Sequence, residues 1–155
     1  MARTLKLWLP VALWMGIIFV ASTDLGSGEH TASIIGPVLR WLLPNVTPEQ
    51  LELAHHLMRK GGHLTEYGIL ALLVLRAVRG SWLPAPERWW RAAGVALLVA
   101  AAYAASDEFH QSFVASRGSS PVDVLIDSTG ALLALAAVGL WRRWRTLPAP
   151  VDSSR

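Results

Sequence analysis

Four apolar runs decide what this chain can fold into. They are Leu5–Thr23, His63–Val78, Trp89–Ser106 and Val122–Trp141, each interrupted by few charges. A helix needs about 20 mostly apolar residues to cross ~30 Å of hydrocarbon. With their polar ends included, spans are expected at about residues 5–23, 60–79, 89–110 and 122–141. Four such spans in 155 residues leave room for one domain and its connections. Only 16% of the residues are charged, where a soluble domain carries about a quarter, and the mean hydropathy is +0.39. The expected fold class is therefore all-α, an integral membrane four-helix bundle with a short helical outer loop. It occupies residues 1–145, and the Pro- and Ser-bearing residues 146–155 form a disordered cytoplasmic tail.

The absence of Cys removes disulfides, thiolate metal sites and Cys nucleophiles. A pI near 10 raises nucleic acid as a partner, but the basic residues are spread beside apolar runs instead of forming one patch. Membrane lipids, and not nucleic acid, are the expected partners. A secretory signal is the rival reading of the first run, with Arg3 and Lys6 ahead of Leu7–Phe19 and a passable cleavage site at Val20-Ala21-Ser22. Trp8 and Trp14 are uncommon in a signal core and the run is long enough to span, so a retained helix is expected.

Charge sets the topology. Ten of the fourteen Lys and Arg fall at the N-terminus, between spans two and three, or at the C-terminus. The other four, Arg40, Arg59, Lys60 and Arg117, fall in the remaining loops. The bias places both termini in the cytoplasm, and Trp82, Trp89, Trp90, Trp141 and Trp144 lie beside the inside charges as an aromatic belt would. In the long first loop, Ser33–Leu43 reads as a short helix at the outer leaflet. Thr47-Pro48-Glu49-Gln50 is a helix start, with Thr as N-cap, Pro at N1 and Gln closing a capping box. That helix is expected to run into the second span, with Gly61-Gly62 as a hinge or a close-packing point.

The candidate site comes from depth. Counting about 20 residues outward from Arg79, Arg91 and Arg142, at ~1.5 Å each, puts the outer boundary near Arg59, Gln111 and Val122. Lys60, His63, Glu66 and Tyr67, then Asp107, Glu108 and Gln111, then Asp123 and Asp127, all fall at that one level. Lys60, His63 and Tyr67 share a helix face at i, i+3 and i+7; Asp107 and Gln111, like Asp123 and Asp127, are i, i+4 pairs. An ionisable group costs about 2.5–3.5 kcal/mol at a span centre and less near the interface, so this many would not persist without pairing or use. The plainer alternative is interhelical hydrogen bonding that only fixes packing, with Asp123 simply answering a helix dipole. His30, His55 and His56 read as solvated loop residues, and Ser22, Ser106 and Ser128 lack a His-Asp pattern for a nucleophile.

These motifs resemble the VanZ-like family of small bacterial membrane proteins. The resemblance rests on Lys60-Gly61-Gly62-His63 with Glu66-Tyr67, then Ser106-Asp107-Glu108-Phe109-His110-Gln111, then Arg117-Gly118, then Asp123 to Gly130-Ala131. The matches cover about Lys60 to Ala131, in the family's order, while the first span matches only in ending on Ser-Thr. The resemblance implies a bacterial plasma membrane location and a link to glycopeptide resistance of the teicoplanin type. It implies motif roles for Lys60, His63, Glu66, Tyr67, Asp107, Glu108, Gln111, Arg117, Asp123 and Asp127, without assigning catalysis to any of them.

Three functions compete at this stage. One is engagement of an envelope lipid or head group, with Lys60 and Arg117 as phosphate donors. A second is a membrane-embedded metal-dependent enzyme, with His63, Glu66, Asp107, Glu108 and Asp127 as donors acting on a phosphoester or acyl link. No HExxH-type spacing is present, so no metal site is assigned and whether any reaction is catalysed stays open. The third is a structural subunit whose polar cluster locks four helices.

Overall fold

A computed structural model describes residues 1–23, 36–114 and 119–145, and all regular structure among them is helical. Four long helices dominate: α1 (Ala2–Ala21), α2 (Pro48–Ser81), α3 (Trp89–Gln111) and α4 (Pro121–Arg145). Residues 36–42 are also helical, inside the stretch expected to form a short helix, and a 3₁₀ turn at Pro86–Arg88 leads into α3. The expected tail, 146–155, lies outside the described residues.

The sequence explains where α2 begins. Thr47 accepts a hydrogen bond from the Gln50 amide, and the Gln50 side chain accepts one from the Thr47 amide. This is the expected capping box, with Pro48 at the first helical position. The Thr47 hydroxyl also holds the Glu49 carboxyl below its ordinary range. From there α2 runs 34 residues without a break, about 51 Å at 1.5 Å per residue and well beyond a ~30 Å hydrocarbon layer. The Gly61-Gly62 pair is neither hinge nor contact. The helix passes straight through it, and a Cβ added at either residue would meet nothing within 4 Å.

Three helices, α1, α3 and α4, are each long and apolar enough to cross a membrane. The fourth expected span, on α2, does not qualify by hydropathy and charge, and its packing sets it apart from the other three. α2 packs against each of the other three long helices, and α3 also packs on α4. Tyr67, Leu70, Ala71, Val74, Leu75 and Val78 of α2 are buried against these neighbours. The buried stretch begins at Tyr67, and Lys60, His63 and Glu66 lie half-buried just before it, toward the end of the bundle. α1 is the opposite case. Val11, Ile18 and Ser22 form a narrow buried stripe, while Leu5, Leu9, Leu13 and Ile17 are exposed along the other side. Apolar side chains turned outward are what a lipid-facing helix needs.

Small residues set the closest approach. Gly68 of α2 lies against Gly130 and Ala134 of α4, and a Cβ on Gly130 would overlap the Leu64 carbonyl oxygen. Trp8, Trp82, Trp89, Trp90, Trp141 and Trp144 gather at one end of the bundle. Trp8 stacks on Trp82 at 4.8 Å between ring centroids, and Arg142 lies 5.6 Å from the Trp89 ring. Glu66, Asp107, Glu108, Asp123 and Asp127 lie toward the other end.

Candidate functional site

At that other end, the antiparallel order of the helices brings residues distant in sequence to one level. Asp107, on the last turns of α3, is the node of the first group. Its Oδ2 accepts hydrogen bonds from Ser22 Oγ (2.7 Å), Gln111 Nε2 (3.1 Å) and Tyr67 Oη (3.3 Å). One carboxylate oxygen thus ties α1, α2 and α3 together. All four residues are buried.

The second group joins α2 to α4. Lys60 Nζ donates to Asp123 Oδ1 at 2.7 Å, with Arg59 3.8 Å from the other oxygen of the same carboxylate. One turn deeper, His63 Nδ1 stands 3.3 Å from Asp127 Oδ1, without the alignment of a hydrogen bond. The close approach at Gly130, one turn beyond Asp127, sets this spacing: without a Cβ there, α4 comes near enough for its carboxylates to face α2. The lysine and the histidine reach α4 while the tyrosine reaches α3, so the i, i+3, i+7 face divides between two partners.

Glu108 completes the junction of α3 with α4. Its Oε2 accepts the Ser120 amide at 2.9 Å, and the Ser120 hydroxyl in turn accepts the Val122 amide at 3.2 Å. A carboxylate at a helix N-terminus also meets the positive end of the helix dipole. Glu66 sits on the α1 side: its half-buried residue offers a backbone carbonyl to Trp14 Nε1 at 2.9 Å. Arg117 lies outside the described residues.

Sequence reasoning missed three participants. The sequence reads Ser22 as a cleavage-site residue or a poor nucleophile, yet it is the shortest donor to Asp107. Its signal was available: an apolar span that closes on Ser-Thr at the level of the carboxylates. Arg59 had served only as a boundary marker, and Ser120 not at all. The histidines need a correction as well. His55 and His56 lie on α2, not in a loop, and His55 is half-buried with its Nε2 covered, because α2 begins at Pro48. His30 lies outside the described residues.

Chemically, the arrangement is rich in hydrogen-bond acceptors. Among the described residues, no group of three or more His, Asp or Glu side chains is placed to hold a metal ion. Of the donors in the metal reading, His63 and Asp127 face each other. Glu108 is committed to a backbone amide and Asp107 to three side-chain donors.

Comparison with curated proteins and with solved structures gives no match. The family model described as VanZ/LLP1 matches residues 7–142, which include all four long helices in large part and every polar contact of the site. The chain belongs to the VanZ/LLP1 family.

Proposed function

We propose that this membrane protein engages an envelope lipid or its head group through the polar end of the bundle. Engagement alters susceptibility to glycopeptide antibiotics of the teicoplanin type, which act at the outer surface. The chain sits in the bacterial plasma membrane with both termini cytoplasmic, and the polar end faces outward.

One observation carries the reading. Buried Asp107, Glu108, Gln111 and Asp127 gather at one end of helices whose remaining surface is largely apolar. Ionisable groups at that depth are costly and mark function in membrane proteins by default. A head group would meet the polar residues while its acyl chains lie along exposed leucines such as Leu13 and Leu132.

The three-way hydrogen bonding at Asp107 favours a second reading, that the cluster only locks the helices. Deleting the gene and comparing lipid profiles with glycopeptide sensitivity separates the two. Lipid engagement predicts a change that the wild-type gene restores and an Asp127→Asn allele does not, with protein levels matched. If deletion changes neither profile nor sensitivity, while Asp107→Asn lowers only thermal stability, the structural reading holds.

A further inference from the structure

The atoms left without partners in this cluster are nearly all of one kind. Asp127 is fully buried, and neither of its carboxylate oxygens receives a hydrogen bond. Asp107 Oδ1 and Gln111 Oε1 are likewise buried and unmatched. The Gln111 amide is fixed in this orientation, because its nitrogen must face the Asp107 carboxylate that accepts from it. Four buried acceptor atoms therefore lack a hydrogen bond, with His63 Nδ1 3.3 Å from Asp127 Oδ1 but not aligned to donate, where folded proteins satisfy nearly all such groups.

Charge points the same way. Lys60 and Arg59 are both turned to Asp123. Among the described residues, His63 is the basic side chain that faces Asp127, and Glu108 is near enough to feel both. A phosphate would bring more acceptors and more negative charge to this spot. A primary ammonium would bring three N–H donors, no acceptor and a positive charge.

We propose that the buried acceptors of Asp127, Asp107 and Gln111 receive the primary ammonium of a ligand. This rests on the head-group reading above and specifies the head group: one bearing an –NH₃⁺, as in an ethanolamine lipid. A quaternary ammonium has the charge but no N–H to donate, and a glycerol head group has hydroxyls but no positive charge. The distinction decides the assignment of roles. Lys60, taken in the sequence reading as a phosphate donor, instead stands with Asp123 at the more exposed rim, and recognition rests with the acids.

The test uses the full chain in micelles containing equimolar phosphatidylethanolamine, phosphatidylcholine and phosphatidylglycerol, with bound lipid read by native mass spectrometry. Phosphatidylethanolamine should be retained about tenfold or more over the other two, the ratio that one charge-assisted hydrogen bond supplies. Asp127→Asn should bring that ratio towards one in protein that still shows a cooperative melt. Should that variant not fold, wild-type selectivity remains decisive by itself. A second arm adds soluble ethanolamine or tetramethylammonium to protein in pure phosphatidylcholine vesicles. A rise in melting temperature with ethanolamine alone would assign the ammonium to a free amine if no lipid is retained, supporting the acceptor site while removing the lipid reading. Equal retention of the three lipids, or a preference for phosphatidylglycerol, would overturn the ammonium proposal and leave lipid engagement standing. No lipid retained and no protection by ethanolamine would overturn both.

Discussion

Replacing Gly130 by Ala tests whether one absent methyl group positions the polar site. An added Cβ would overlap the Leu64 carbonyl oxygen and stand 2.8 Å from the Leu64 carbonyl carbon and Cα. Carbon atoms in contact settle at about 3.5–4.0 Å, so the two backbones must part by roughly 1 Å. No rotamer can relieve a clash of backbone on Cβ. Overpacking costs about 1–3 kcal/mol, with a rigid site such as this at the upper end. The gain in helix propensity returns about 1 kcal/mol. The expected net loss is therefore roughly 2 kcal/mol. The same retreat would lengthen the 3.3 Å His63–Asp127 approach one turn away. The control is Gly94→Ala, where an added Cβ meets nothing within 4 Å; it should cost nothing. Unfolding free energies from detergent titration of the wild type and both variants provide the comparison. A Gly130→Ala protein as stable as wild type would refute the reasoning, because it would mean that α2 and α4 are not held at this distance by the missing side chain.

Other perturbations read other parts of the cluster. Ser22→Ala removes the shortest donor to Asp107, and the loss of one hydrogen bond at a buried carboxylate should cost about 1–3 kcal/mol in the same titration; no measurable loss would show that water replaces the hydroxyl. For Lys60 and Asp123, whose side chains keep 30% and 15% of their exposure, a double-mutant cycle with Lys60→Met and Asp123→Leu should give a coupling of only about 1 kcal/mol, screened as surface pairs are. A coupling several times larger would place the pair in a drier setting than its exposure implies. Reporter fusions should put residues 82–88 and both termini on the cytoplasmic side, as the ten-to-four bias of basic residues requires. A periplasmic signal from any of the three would invert the assignment of the polar end.

Much of the fold was legible because lipid imposes a simple rule on sequence. Apolar runs, a capping box at Thr47 and the depth of the carboxylates all follow from helix geometry and hydropathy, and the structure has the helices in those places. What hydropathy could not show is which helix the others enclose. α2 reads as one more span, yet its neighbours cover it, and this shielding is a property of the assembled bundle. Glycines present the same difficulty. Gly61 and Gly62 stand together and invite a role, while Gly130 is decisive only because Leu64 lies across from it. Pairing within the site was equally hidden. Equal depth could group Lys60, His63, Asp123 and Asp127, but only the rotation of α4 about its axis decides that the lysine meets the first aspartate and the histidine the second. Ser22 shows the limit of judging a residue by reactivity: its importance lies in what it donates to, 85 residues away.

The enclosure of α2 also has a consequence for how the chain enters the bilayer. Translation delivers α2 before the helices that shield it. Lys60 precedes its partner Asp123 by 63 residues, an interval of about 3–13 s at 5–20 residues per second. Until α3 follows, α2 has only α1 beside it, and its hydropathy alone does not commit it to the hydrocarbon. Its outer half must wait at the interface or within the insertion machinery until α3 and α4 arrive. Nascent chains cut after Gln111 should therefore leave glycosylation tags near Lys60 in more than one location, whereas chains extended through Arg145 should hold them in one. Insertion of this protein is then completed from its C-terminal end, with α4 drawing into the membrane a helix made well before it.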